Sequence, residues 1–216
     1  MEENQHENLE FTEAAETDEY MAETAEKPKR KKFDLAFELY DWAHSLVFAF
    51  VGFVLVLSFA AGIFSVSQTS MTDTLQEGEM VIVSRLPYTP KREDIVLFVK
   101  YGWENSRNRE TGLFNPLIKR VIGLPGDELV FDGEALYING ESIEEPYIKN
   151  EMQRWVEPSL MEDGKVIVPE GFVFVMGDNR GGSHDSRNAD IGFVDVRSIL
   201  GRAFLRVSPL SKFGRI

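Results

Sequence analysis

Residues 128–140 read ELVFDGEALYING. Two short runs rich in strand formers, Leu-Val-Phe and Leu-Tyr-Ile, stand on either side of Asp132-Gly133. That dipeptide favours a tight antiparallel hairpin, because glycine takes the positive φ such a turn needs. Asn139-Gly140 closes the second run with another turn signal. The same short, period-two rhythm extends outward on both sides. Residues 80–84, 95–99, 118–122, 165–168, 172–176 and 203–207 are further strand candidates. No stretch of three helical turns stands out between them. Residues 65–216 therefore form one mainly β domain of antiparallel sheets or a partly closed barrel. Within it, residues 101–115 are polar and irregular and read as an exposed loop; no internal repeat is found.

Upstream the pattern changes. Residues 46–64 carry no charge, and Ser58 is their only hydroxyl. As a helix they would span about 28 Å, close to the hydrocarbon thickness of a bilayer. A soluble helix of this length is rarely apolar on every face. A cleaved leader would begin near residue 1 and have a shorter apolar core. The stretch is read as a single uncleaved transmembrane helix, with 33–45 as its membrane-proximal approach. Five cations fall in residues 27–32, and none follows directly after the apolar run. This bias places the N-terminus in the cytoplasm and the β domain on the outer side of the cytoplasmic membrane. Residues 1–26 hold ten acidic side chains and no Lys or Arg. They bury too little to offset their ordering entropy, so 1–32 is read as a disordered acidic tail plus basic cluster.

Composition removes several functions. The net charge is −13, unsuited to phosphate contacts, so nucleic acid is not an expected partner. The absence of cysteine excludes disulfides, thiolate metal sites and a Cys nucleophile. Three histidines, His6, His44 and His184, leave no metal-binding set, and none forms HExxH. Neither a metal nor an organic cofactor is expected. No GxSxG elbow is present either. His184 is read as an exposed loop residue rather than a catalytic base.

A serine nucleophile would then need another base, and a buried lysine can supply one, since loss of water lowers its pKa. Lys119 lies in Leu117-Ile118-Lys119-Arg120-Val121-Ile122. In a strand it shares a face with Leu117 and Val121, while Arg120 shares the other with Ile118 and Ile122. Arg120 is too basic to act as a base. From periodicity alone, the commoner reading is that both cations guard an edge strand. Ser70-Met71 follows the apolar stretch closely, in an otherwise ordinary Ser/Thr-rich segment. Residues 177–187, GDNRGGSHDSR, follow an apolar strand and are dense in side-chain donors and acceptors. An Asp185–Arg187 pair there could pin the loop carrying Ser183.

In this order, Ser-Met, KRVIGLPGD at 119–127 and GDNRGGSHDSR at 177–187 resemble the bacterial type I signal peptidases. The resemblance covers nearly all of 40–210. It implies a membrane-anchored serine endopeptidase that removes N-terminal signal peptides from secreted preproteins. It also implies the family's antiparallel β catalytic core, with a small β insertion at about 128–171. By the same resemblance Ser70 is the nucleophile and Lys119 its general base. Ser183 hydrogen-bonds and orients the lysine, and Asp185 and Arg187 form a supporting salt bridge. Asp178 and Arg180 are scaffold, and Met71 packs beside the nucleophile near the pocket for the substrate's small side chain. The expected partners are signal-peptide-bearing preproteins and the lipid bilayer.

Three positions depart from the family pattern. Asp73 stands where a proline is usual, Gly78-Glu79 replaces Gly-Asp, and Gln68 occupies a site where members carry Ser or Gly. The Gln68 amide could help the Ser70 N–H stabilise an oxyanion. These departures also motivate an alternative, a weak or inactive anchored β domain that binds extended peptides.

Overall fold

The computed structural model describes residues 35–100, 115–133, 135–148 and 155–216. The expected acidic tail and basic cluster at 1–32 lie outside the described residues, as does all of the expected 101–115 loop except Asn115.

Among the described residues, one long helix, α1, runs from Leu35 to Ala60. Its segment Glu38–Ala60 is long and apolar enough to cross a membrane. The helix ends four residues before the expected boundary at 64. Residues Ala61–Ser65 instead form strand β1, antiparallel to β2 (Met80–Ser84), from Ala61 opposite Ser84 to Ser65 opposite Met80. Hydropathy cannot mark this change, because Ala61, Ile63 and Phe64 suit either environment. Pairing with β2 decides it, and the Ile-Phe pair favours the pleated form. The Arg85 guanidinium folds over Gly62, 2.6 Å from where a Cβ would stand, and this flexible side chain could move aside for one.

The remaining strands are β3 (Ile95–Phe98), β4 (Leu117–Gly123), β5 (Glu128–Asp132), β6 (Ala135–Ile138), β7 (Glu141–Ile143), β8 (Val166–Ile167), β9 (Phe172–Met176), β10 (Val194–Asp195), β11 (Ile199–Ser208) and β12 (Gly214–Arg215). The larger sheet runs β1-β2-β11-β3-β4-β9-β10, with β12 also paired to β11. A four-stranded sheet, β7-β6-β5-β8, is formed within the expected insertion. All pairings are antiparallel. The domain is mainly β, as its alternation implied.

The quoted stretch forms the β5–β6 hairpin, with Asp132 opposite Ala135. Asn139 and Gly140 both have positive φ, 55° and 85°, and Ile138 pairs with Glu141. That is the two-residue hairpin geometry the Asn-Gly pair favours, and it leads into β7, a strand not anticipated. β4 turns out to be central, between β3 and β9, and all seven of its residues are buried. The edge-strand reading of Lys119 and Arg120 is therefore overturned. Leu117 and Val121 pack with Val96, Phe98 and Val175. Ile118 joins Val66, Met71, Leu75 and Val83 in a second cluster. A third, under the small sheet, holds Ile122, Leu129, Leu136 and Phe174.

Candidate active site

Ser70 lies in a loop closed at its base. Val66 N–H donates to the Glu79 carbonyl at 2.9 Å, and Gly78 N–H to the Val66 carbonyl at 2.7 Å. Gly78 has φ +84°, a conformation that penalises any side chain. Inside the loop, Thr69–Met71 makes one 3₁₀ turn, with Thr72 N–H donating to the Thr69 carbonyl. Met71 and Leu75 are fully buried in the core and hold the turn down. Ser70 sits at the start of that turn, where backbone N–H groups have no partner within the helix.

Lys119 reaches this turn from the middle of β4. Its Nζ lies 2.7 Å from Ser70 Oγ and donates to the Ile118 carbonyl at 3.2 Å. The lysine is 1% exposed and Ser70 5%. Loss of water brings the Lys119 pKa down from 10.5 to about 8. Asp185 opposes that shift, Arg187 adds to it, and Asp178 opposes it more weakly. An amine in this state has a lone pair free in an appreciable fraction of molecules near neutral pH.

The Gly-Asp-Asn-Arg loop, following β9, clasps the serine turn. Asn179 N–H donates to the Ser70 carbonyl at 3.0 Å, and its Nδ2 to the Thr69 carbonyl at 3.1 Å. Gly177 is confined between them: a Cβ there would stand 2.4 Å from Ser70 O and 2.3 Å from Ser183 Oγ. Asp185 and Arg187 form the expected pair, with Nε to Oδ1 at 2.8 Å and Nη2 to Oδ2 at 2.9 Å. Asp185 also accepts from Gly177 N–H, and Arg187 donates to the Arg180 carbonyl at 2.7 Å. The pair fixes both ends of the loop.

Asp178 does more than its sequence context revealed. It is fully buried and bound at 2.9 and 2.7 Å by Arg120, the neighbour of Lys119. It also accepts from Thr74 Oγ1, four residues beyond the nucleophile. Tyr147 stacks its ring 4.0 Å from the Arg120 guanidinium carbon. Buried Arg180 is paired with Glu145, Nη1 to Oε2 at 2.8 Å. Glu145 and Tyr147 carried no motif in the sequence; only a long-range ion-pair partner for the buried arginines could have pointed to them. Glu79 is likewise buried. Burial opposes its ionisation, but hydrogen bonds from Arg206 and Lys212 prevail and hold its carboxyl below the ordinary range.

Ser183 departs from expectation. Its hydroxyl is buried and makes no hydrogen bond, to Lys119 or to any other described group. It is turned against Gly177, where the missing Cβ leaves it space. Met71 is close to the nucleophile but sealed in the core. Gln68 and His184 line an open cleft of about 360 Å³ with Ser67, Thr69, Ser70, Glu77, Leu117 and Gly182. Gln68 makes no capping hydrogen bond to the turn. His184 is an exposed loop residue, as expected, that pairs with Asp190 at 2.7 Å and lines the cleft. Among the described residues, no group of three His, Cys, Asp or Glu side chains could hold a metal ion.

A family model described as "Signal peptidase, peptidase S26" matches residues 39–208. A protein named Signal peptidase I from Bacillus licheniformis is 37% identical over 88% of this chain and 97% of its own length. Another Signal peptidase I, from Bacillus caldolyticus, is 35% identical over 76% of this chain and 90% of its own. A crystal structure of a signal peptidase I from Enterococcus faecalis V583 shares 31% identity, covering 54% of this chain and 98% of that one, with a TM-score of 0.41. A match spanning most of the sequence, with relatives aligned over nearly their full length, fixes the family: the chain belongs to the signal peptidases, peptidase S26.

Proposed function

We propose that this type I signal peptidase cuts signal peptides from preproteins with Ser70 as nucleophile and Lys119 as general base. The observation that carries the reading is the 2.7 Å contact between a buried amine and the Ser70 hydroxyl. Neutral Lys119 takes the hydroxyl proton as Ser70 Oγ attacks the carbonyl carbon of the small residue that ends the signal peptide. The Ser70 N–H faces the developing oxyanion, with the Gln68 amide at the cleft as a second donor. Protonated Lys119 then gives its proton to the departing amine, leaving Ser70 acylated. Lys119 next takes a proton from water, which attacks the ester and frees the enzyme. The N-terminus lies in the cytoplasm, and the β domain works at the outer surface of the cytoplasmic membrane. There a preprotein arrives with its own apolar helix still in the bilayer.

The test is cleavage of a purified preprotein in detergent, with the new N-terminus read by sequencing. Mature protein beginning after a small residue supports the reading; an uncut substrate beside folded enzyme contradicts it. The pH profile follows from the lowered Lys119 pKa of about 8. The base acts when deprotonated, so kcat/KM rises with pH and levels off above about 8. Below that it falls about tenfold per unit, reaching about one hundredth of the plateau near pH 6. A profile flat down to pH 6 would exclude a lysine base.

A further inference from the structure

Five carboxylates around the nucleophile are committed to cations. Asp178 holds Arg120, Asp185 holds Arg187, Glu145 holds Arg180, Glu79 holds Arg206 and Lys212, and Asp190 pairs with His184. Glu77 is different. Its side chain is exposed and has no ion pair or hydrogen bond among the described residues, yet it lines the cleft that holds Ser70. Its position is not loose. The neighbouring Gly78 N–H donates to the Val66 carbonyl, and Glu79 N–H to the Gln76 carbonyl. The Glu77 turn is thereby fixed beside the segment leading to Ser67, Gln68 and the nucleophile. Gly78, at φ +84°, makes the turn possible.

We infer that Glu77 is a specificity-determining residue, selecting substrates that carry a lysine or arginine beside the scissile bond over those that carry an acidic residue there. The inference rests on the peptidase reading above. A substrate drawn through the cleft in extended form passes a negative charge that is unpaired among the described residues. A cation within reach completes an ion pair, while a carboxylate meets repulsion. The site is open to solvent, so each effect is modest, about fivefold at most. The attraction is electrostatic, so added salt must weaken it.

Preproteins are made with Gln, Lys or Glu substituted singly at each of the first few positions of the mature part, the small residue that ends the signal peptide being kept. The full-length enzyme in detergent is assayed on each at low salt and at about 1 M salt, where the screening length is only about 3 Å. At one position or more, the Lys-to-Glu ratio of kcat/KM should be about five to ten. It should fall toward one at high salt, collapse in Glu77→Gln and invert in Glu77→Lys. Because each ratio is taken within one enzyme, a variant's overall activity or folded fraction does not affect it. Ratios that are the same in wild type and Glu77→Gln at every position would overturn the inference while leaving the peptidase reading intact. Failure to cut the Gln series would overturn both.

Discussion

Replacing Ser70 with alanine should lower preprotein cleavage by at least about ten-thousandfold, to the background of the assay. Lys119→Ala should do the same. The two groups perform one proton transfer, so the double variant should be no worse than either single one. Such non-additivity is the signature of residues that act as a unit. Lys119→Arg should not restore activity. A guanidinium keeps its proton at any working pH, and its planar fork does not fit where one amine meets one hydroxyl. Ser70→Ala removes a single oxygen, and thermal unfolding should be nearly unchanged, which separates lost chemistry from lost folding. Cleavage within tenfold of wild type by either single variant would contradict the dyad.

The second large effect concerns stability. Asp178 is fully buried, and its partner Arg120 has a side chain only 8% exposed. Truncating one member of such a pair leaves the other charge inside without compensation, at a cost of about 3–5 kcal/mol. Asp178→Ala also removes the acceptor of the Thr74 hydroxyl. Denaturant unfolding should therefore show a loss of about 3 kcal/mol or more. The part that stays folded should cleave poorly, because Thr74 belongs to the Ser70 loop and Arg120 adjoins Lys119 on β4. Asp178→Asn keeps oxygen and shape but not charge, and should fall between the two. A loss below about 1 kcal/mol for Asp178→Ala would mean that Arg120 finds water instead, and that the pair is not the clamp its burial implies.

Much of this site was legible in the chain, for identifiable reasons. Alternating strands and the Asp-Gly and Asn-Gly turns gave the β class, because both signals are local. Ser70, Lys119, Asp185 and Arg187 fall in short motifs whose order is specific, and they meet in space: Lys119 touches Ser70, and Arg187 grips Asp185. The sequence was weakest where an outcome depends on distant partners. Whether Lys119 sat on an edge or at the centre depended on β3 and β9 flanking β4, which no window around residue 119 reveals. The helix end at Ala60 depended on pairing with β2 across the loop that carries Ser70. The partners of the buried arginines, Glu145 for Arg180 and Asp178 for Arg120, lie 35 and 58 residues away. Ser183 was placed in the right loop but not in its rotamer, since a hydroxyl's direction depends on packing against Gly177.

The mechanism depends on the state of one amine. Labelling the lysines with ¹³C at Cε and following their NMR shifts with pH reports that state directly, with Lys119 assigned by its absence in Lys119→Met. Its midpoint is expected at about 8, set apart from the exposed lysines near 10.4. A Lys119 signal titrating with the exposed lysines would mean a cation beside Ser70 throughout the physiological range, and would contradict its role as the base.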